Sequence, residues 1–233
     1  FITFDTPTRI GKVIVPSPAF GEDNYVYRIF GEYCSTIGNI ARSRITSPLP
    51  EGPIWFSRAR LTQGTWGVEN EEELCNELTA KGFSIVFPET LSVAEQMASF
   101  GEKTIVAGPI GSAFHNAIFS RGATSLCLTN GTPSRNFLLM DAVSDISARY
   151  VTFPSRSASA RPEFSSTIAF KDPKALAIAI TESCAQRYDA IRRVSARSKE
   201  ISECYKVAQK SKLFNYSYRR ALQSPILLPS PSD

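Results

Sequence analysis

A turn with two glycines, Gly108 to Asn116, is the strongest chemical signal in the sequence. It follows an apolar strand pattern, Thr104 to Ala107, and leads directly into a helical pattern. Glycine lets a ligand approach the backbone closely, and the free N–H groups of a first helical turn favour an anion such as phosphate. The hydroxyl of Ser112 can add another donor. The pattern fits either an anion site built on Gly108, Gly111 and Ser112 or a tight structural turn.

The single histidine of the chain, His115, lies one helical turn after Gly111. Residues four apart share a helix face, so we expect His115 to face the same ligand as the turn. Its imidazole titrates near neutral pH, which makes it the candidate catalytic residue. An imidazolium would neutralise a negatively charged ligand group, and a neutral imidazole would accept a proton. A structural role is the alternative for His115, as it is for Asn116.

Charged side chains follow another candidate strand, Ile54 to Ser57. Arg58 and Arg60 follow this strand. At the carboxyl edge of a parallel sheet their guanidinium groups would point into a ligand crevice, where they could neutralise a diphosphate. A surface arginine pair is the alternative. Further on, Asn70 opens a helix with an acidic first turn. Negative side chains at a helix N-terminus are stabilised by the helix dipole. One of them, Glu71, could also accept a hydrogen bond from a ribose or sugar hydroxyl.

Strands and short helices alternate from Ile54 to Leu128. A helix capped by Asn70 and Glu73 ends at Gly82, and a Ser-x-x-Glu box at Ser92 opens the next helix. Strands that are separated by helices need crossover connections, which produce a mostly parallel sheet. The sequence therefore predicts a Rossmann-like α/β fold, with ligands at the carboxyl ends of the strands.

The flanking regions are less regular. The first part contains a strand, Lys12 to Val15, and a helix from about Asn24 to Ile37, and it ends in a proline-rich connector. The last part begins with a helix start at Asp172, continues as a long apolar stripe and ends in an extended tail. Three regions result: the end of an N-terminal region or a linker at 1–50, the Rossmann-like domain at 54–170 with a loop at 155–166, and a helical segment with a tail at 171–233.

Composition narrows the class of protein. The 233 residues, 42% hydrophobic and 21% charged, exclude a disordered chain and a coiled coil. Five spread cysteines with one histidine exclude a His-rich zinc site and indicate a reducing compartment. The net charge is +4, yet Lys171 to Arg220 holds 12 Lys and Arg against 5 Asp and Glu. This basic segment is either a solvated helix face or a surface for anionic lipid or another acidic partner.

The motifs together resemble the glycosyltransferase family 61 domain. In that family a strand ends in Ser-Arg, Asn-Glu opens a helix, and Gly-Phe precedes a strand ending at Pro. A Leu-Ser-x-x-Glu-Gln helix and a Gly-Pro-x-Gly-Ser/Ala turn follow. This chain has Ser57-Arg58, Asn70-Glu71, Gly82-Phe83, Pro88, Leu91-Ser92 with Glu95-Gln96, and Gly108-Pro109-Ile110-Gly111-Ser112 with Asn116 and Phe119. The match spans Ile54 to Leu128, about a third of the chain.

The resemblance implies the C-terminal half of a GT-B glycosyltransferase, which holds a nucleotide-sugar donor, here expected to be UDP-linked. It implies inverting, metal-independent transfer of a hexose or pentose to a glycan or polysaccharide acceptor, without a cofactor. We expect a cytoplasmic enzyme of polysaccharide biosynthesis, associated with the cytoplasmic membrane face through its basic segment and binding no nucleic acid. The donor contacts implied are Arg58, Arg60, Asn70, Glu71, Gln96, Gly108, Gly111, Ser112 and Asn116.

Two features depart from the family pattern. Many members have His-Gly in the turn where this chain has Ile110-Gly111, and His115 either substitutes for that histidine or does not. If it does, the role we favour is an imidazolium that neutralises the departing diphosphate, and the alternative is a neutral imidazole that deprotonates the acceptor. The chain starts with Phe, and only about fifty residues precede Ile54, so we expect the acceptor half and its catalytic base to lie outside it. The alternative function is a non-catalytic module that keeps the fold for sugar-nucleotide binding or interaction. A Rossmann oxidoreductase is disfavoured, because the turn lacks the three-glycine fingerprint.

Overall fold

The computed structural model describes residues 3, 5–12, 17–46, 50, 52–101, 104–129, 131–158, 164–186 and 225–227. The predicted strand beyond Lys12, most of the basic segment and its apolar stripe after residue 186 lie outside these residues. Among the helices of the described residues, none is both long and apolar enough to cross a membrane.

Eleven strands, five α-helices and two 3-10 helices make up the described residues. In chain order they are β1 (Phe20–Gly21), β2 (Tyr25–Tyr27), α1 (Arg28–Ser43), β3 (Ile54–Phe56), β4 (Gly64–Val68), α2 (Glu71–Ala80), β5 (Ser84–Val86), a 3-10 helix (Pro88–Thr90), α3 (Val93–Ser99), β6 (Ile105–Pro109), a second 3-10 helix (Ser112–Phe119), β7 (Thr124–Thr129), α4 (Arg135–Val143), β8 (Ser147–Thr152), β9 (Ser155–Ser157), β10 (Phe164–Phe170), α5 (173–186) and β11 (Pro225–Leu227).

A five-stranded sheet in the order β5-β3-β6-β7-β8 forms the centre of the fold. Every pair of neighbours in it is parallel. Because each crossover between parallel strands returns the chain to the same edge, the carboxyl ends of all five strands meet on one side. The Rossmann-like α/β prediction is therefore confirmed.

Alternate residues of the central strands pack into two different hydrophobic cores, one on each face of the sheet. In β3, Ile54 and Phe56 pack with Phe100 and Phe114 on one face, and Trp55 packs with Leu78 on the other. This period of two is the geometry of a pleated strand, and apolar residues on both faces require cover on both. Helices on both sides of the sheet, including α2 and α5 on the Trp55 face, provide that cover.

Helices α2, α3 and α5 begin where the sequence predicts, but only two of their three predicted caps form. The Ser92 hydroxyl accepts from the N–H of Glu95, whose carboxylate accepts from the N–H of Ser92, so the capping box is present. The carboxylate of Asp172 accepts from the N–H of Ala175 at the start of α5. Asn70, in contrast, makes no cap bond, because its amide group bonds both the N–H and the carbonyl of Phe170 in β10. This side chain ties α2 to a distant strand.

The structure differs from the sequence prediction mainly at the flanks. The helix predicted from Asn24 begins at Arg28 and continues to Ser43, because Tyr25–Tyr27 pairs as a strand with β1 and β11. The segments predicted as loops after Arg58 and from residue 155 contain strands of a second sheet, in the order β4-β10-β9. The division of the chain into three regions stays a prediction.

The described cysteines Cys34, Cys75 and Cys127 have free thiols and, like Cys184, are buried. Burial raises the pKa of Cys34 and of Cys75 to about 11 and that of Cys127 to about 12. These thiols are therefore protonated at neutral pH and pack as small apolar groups.

A half-buried pair joins α4 to β8 and predicts a pH-dependent stability. The Tyr150 hydroxyl donates to a carboxylate oxygen of Asp141 over 2.6 Å, and burial raises the pKa of Asp141 from 3.8 to about 6. A carboxyl whose folded pKa is raised stabilises the fold fully below its unfolded pKa and loses that contribution as the pH rises through its folded pKa. Between about pH 4 and about pH 7, the free energy of unfolding of the wild type should therefore fall by roughly 1–3 kcal/mol relative to that of Asp141→Asn. Urea unfolding at several pH values measures this difference. Parallel pH profiles for the two proteins would contradict this assignment.

Candidate functional site

A cavity of about 650 Å³ opens at the carboxyl ends of the central strands. We call it the strand-end cavity. Its walls come from the residues after β3, the 3-10 helix after β5, the glycine turn after β6 and the first turn of α4. The lining residues are Phe56, Ser57, Arg58, Leu61, Gln63, Gly64, Thr65, Trp66, Pro88, Glu89, Gln96, Pro109, Ile110, Gly111, Ser112, Ala113, Phe114, Ser134 and Phe137. The place is the one that the sequence predicts for a ligand in a parallel α/β sheet.

The guanidinium of Arg58 lies directly against Gly111. A Cβ placed on Gly111 would collide with Nη1 of Arg58, so the guanidinium would have to move aside for any other residue. The backbone of Gly111 itself is extended, so the close approach of Arg58, and not backbone conformation, favours glycine here. A positive group and the first N–H groups of a helix therefore meet at one point of the cavity wall, as an anion site requires.

Two neighbours hold Arg58 in this place. Its Nη2 donates to the carbonyl of Trp66 over 2.8 Å, and its guanidinium lies over the Trp66 ring at 5.2 Å. Its main-chain N–H donates to both carboxylate oxygens of Glu71, at 3.0 and 3.1 Å. Burial lowers the pKa of Arg58, and the charges of Glu71 and Glu89 oppose that shift. An arginine remains charged in proteins, so the cavity contains a fixed cation whose Nη1 is turned towards the glycine turn.

The glycine turn provides the second half of the anion site. Gly111 is the N-cap of the second 3-10 helix, so the N–H groups of the first helical residues have no partner within the helix. Ser112 adds a hydroxyl at the cavity wall. Gly108 has a different role, because a Cβ there would lie 2.5 Å from the carbonyl oxygen of Phe56 in the neighbouring strand. It permits close strand packing beneath the turn and does not line the cavity.

A pair of side-chain amides fixes another part of the cavity wall. Nδ2 of Asn116 donates to Oε1 of Gln96 over 2.8 Å, and Nε2 of Gln96 donates to the carbonyl of Pro88 over 2.8 Å. Gln96 lines the cavity, whereas Asn116 orients it from behind. The same bonds hold the 3-10 helix that carries Glu89, an exposed carboxylate at the cavity wall able to accept a hydrogen bond from a sugar hydroxyl.

His115 does not line the strand-end cavity. Its ring lies against the ring of Phe137, with centroids 4.3 Å apart and planes at 31°, and Nε2 is buried without a hydrogen-bond partner. Burial lowers the pKa of His115, so its ring is neutral at neutral pH. The structure therefore favours a neutral imidazole over the imidazolium preferred from the sequence. Any effect of this ring on a ligand passes through Phe137.

Three other predicted contacts lie outside the cavity. Arg60 is exposed, and its guanidinium lies 3.8 Å above the ring of Phe87. Asn70 is occupied by the backbone of β10. Glu71 is only 1% exposed and also accepts from the indole N–H of Trp55, so no sugar hydroxyl reaches it. Glu71 and Asn70 shape the site by holding Arg58 and the second sheet.

The sequence analysis missed Glu89, Ser134, Phe137 and Trp66, all of which line the cavity. A usable signal existed for Glu89, which follows the strand predicted to end at Pro88 and so had to lie at the same sheet edge. Trp66 and Phe137 belong to β4 and α4, neither of which was predicted. In the described residues no group of three or more His, Cys, Asp and Glu side chains is arranged to hold a metal.

One of three comparisons with known proteins identifies the family of this chain. The family model described as Glycosyltransferase 61 matches residues 8–127, just over half of the chain. A search of curated proteins and a search of solved structures found no significant match. The matched range includes β3, β5, β6 and the glycine turn, the elements that build most of the strand-end cavity. The chain therefore belongs to the glycosyltransferase 61 family, and this membership implies glycosyltransferase activity.

Proposed function

We propose that this chain binds the nucleotide-sugar donor of an inverting, metal-independent glycosyltransferase, with the diphosphate in the strand-end cavity. The observation that supports it best is the guanidinium of Arg58 against Gly111 at the start of a helix. A nucleoside diphosphate carries its charge in the middle of the molecule, and this cation with adjacent N–H donors matches that charge. We further propose a UDP-linked hexose or pentose as donor and a glycan or polysaccharide as acceptor.

The site would act mainly on the leaving group. An acceptor hydroxyl attacks the anomeric carbon, the bond from that carbon to the diphosphate oxygen breaks, and the acceptor's proton passes to a base. Negative charge then develops on the departing nucleoside diphosphate. Arg58 and the helical N–H groups are already oriented towards this charge, so they stabilise the transition state without reorganising. We propose that the base belongs to the acceptor-binding part of the enzyme.

We also propose a cytoplasmic location for the reaction, with the basic residues between Lys171 and Arg220 at an anionic membrane surface. That charge is a property of the sequence, and most of the segment lies outside the described residues. Co-sedimentation with liposomes of anionic and of neutral lipid at low salt separates membrane binding from a solvated surface.

A thermal-shift screen of UDP-, GDP- and CDP-sugars tests the donor proposal. A donor present at one hundred times its Kd should raise Tm by roughly 5–10 °C, because binding to the folded state alone stabilises it. The full-length protein should then transfer the sugar of that donor to an oligosaccharide acceptor. Binding without transfer would support the non-catalytic module, and no shift with any nucleotide sugar would contradict the proposal.

A further inference from the structure

The strand-end cavity has an apolar flank and a polar flank on opposite sides of the glycine turn. Strand β6, which leads into the turn, lies between β3 and β7 in the sheet. Helix α4 follows β7 and brings Phe137 to one flank, where Ile110 and Ala113 also lie. Ser134, the N-cap of α4, lines the same flank, but its hydroxyl already donates to Asp23 and accepts from the N–H of Asn136. Beyond β3 on the other side, β5 leads to Glu89. The anion site at the turn therefore separates an apolar surface from a hydrogen-bonding one.

Phe137 is the aromatic ring on this wall that has surface available for a ligand. The other rings of the described lining, Phe56, Phe114 and Trp66, are at most 6% exposed, whereas Phe137 is half-buried. One side of Phe137 packs on the core beneath the turn. The ring of His115 lies against the ring of Phe137, with the two centroids 4.3 Å apart. Two contacts thus fix the orientation of a flat apolar ring at the cavity wall.

The two ends of a nucleotide sugar differ in the same way as the two flanks. On one side of the diphosphate is a flat aromatic base, and on the other is a sugar rich in hydroxyls. We propose that the nucleobase of the donor stacks on Phe137, and that His115 is a positioning residue that holds this ring. The inference rests on the proposed function, because it takes the diphosphate to lie between Arg58 and the glycine turn. The donor sugar then lies towards Glu89.

Calorimetric titrations with UDP and with inorganic pyrophosphate test the stacking. Replacing Phe137 by Leu keeps an apolar side chain but removes the flat ring, so affinity for UDP should fall roughly 10–100-fold, the usual effect of losing one base–aromatic stack. Affinity for pyrophosphate, which has no base, should be unchanged. Phe137→Tyr should bind UDP like wild type. Leu138→Ala is the matched control on the same helix, since Leu138 is exposed and outside the cavity.

Two substitutions at His115 separate a positioning role from acid–base chemistry. His115→Phe keeps a ring against Phe137 and should keep the UDP affinity, the donor KM and the pH profile of turnover. His115→Ala removes the support and should raise the donor KM more than it lowers kcat. A His115→Phe variant that binds UDP normally but loses turnover would overturn the positioning role.

Other outcomes also separate the hypotheses. Equal losses of UDP and pyrophosphate affinity in Phe137→Leu would overturn the stacking, because the substitution would then have damaged the anion site. A variant with normal affinity for UDP and weakened affinity for a UDP-sugar would place the sugar on Phe137 and overturn the assignment to the base. A wild-type protein that binds UDP no more tightly than pyrophosphate would overturn the stacking and leave the diphosphate site intact. Binding of neither compound would contradict the proposed function as well.

Discussion

Replacing Arg58 by Ala is expected to reduce sugar transfer by roughly 10²–10³-fold, the usual effect of removing one preorganised donor from developing negative charge. Affinity for UDP should fall by about 1.5–3 kcal/mol, the worth of a hydrogen bond to a charged group. Both effects follow from the position of the guanidinium, which lies against Gly111 and is held by the carbonyl of Trp66. Initial rates at saturating donor and calorimetry with UDP measure the two quantities.

Arg60→Ala is the matched control for this experiment. Arg60 is an arginine two residues away, but it is exposed and packs on Phe87 outside the cavity. Its removal should change neither UDP affinity nor turnover appreciably. Arg58→Lys should restore only part of the activity, since an ammonium cannot donate to Trp66 and a phosphate with the same fork geometry. Equal effects of Arg58→Ala and Arg60→Ala would show that Arg58 has no special role.

Replacing Glu71 by Ala should lower the free energy of unfolding by about 2–6 kcal/mol, because a buried donor without an acceptor costs roughly 1–3 kcal/mol and at least two donors cannot turn to another acceptor. These two are the indole N–H of Trp55 and the main-chain N–H of Arg58, and the Ser57 hydroxyl also bonds the carboxylate. Glu71 itself is fully buried, and burial raises the pKa of its carboxyl. Urea unfolding followed by circular dichroism measures the loss.

Two controls show whether the hydrogen bonds cause that effect. Glu72 lies in the same helical turn but is exposed, so Glu72→Ala should change stability by less than about 0.5 kcal/mol. Glu71→Gln keeps one carbonyl oxygen as an acceptor and should lose clearly less stability than Glu71→Ala. If Glu71→Ala unfolds at the same urea concentration as wild type, the carboxylate does not anchor the loop that carries Arg58.

The parts of the fold that could be predicted are those encoded locally. Ser92 and Glu95 satisfy each other's backbone within one turn, and Asp172 caps the helix that follows it. Apolar runs such as Ile54 to Phe56, separated by helices, were enough to predict a parallel sheet. The glycine turn and Arg58 follow neighbouring strands, so their meeting at one sheet edge follows from topology.

The parts that could not be predicted depend on distant partners. Strand β4 contains two glycines and reads as a loop, and it becomes a strand because β10 pairs with it in parallel about a hundred residues later. Strand β10 also binds the side-chain amide of Asn70, which therefore does not cap α2. Burial of His115 behind Phe137 depends on α4, a helix with only a weak amphipathic pattern in the sequence. Non-local contacts of this kind leave no periodic signal.

A crystal structure of the protein with bound UDP tests the central claim most directly. The account predicts that diphosphate oxygens lie within hydrogen-bonding distance of Nη1 of Arg58 and of the N–H groups at Ser112 and Ala113. It predicts the uracil ring against Phe137. A UDP molecule bound elsewhere on the protein, or one whose diphosphate contacts neither Arg58 nor the glycine turn, would contradict the account.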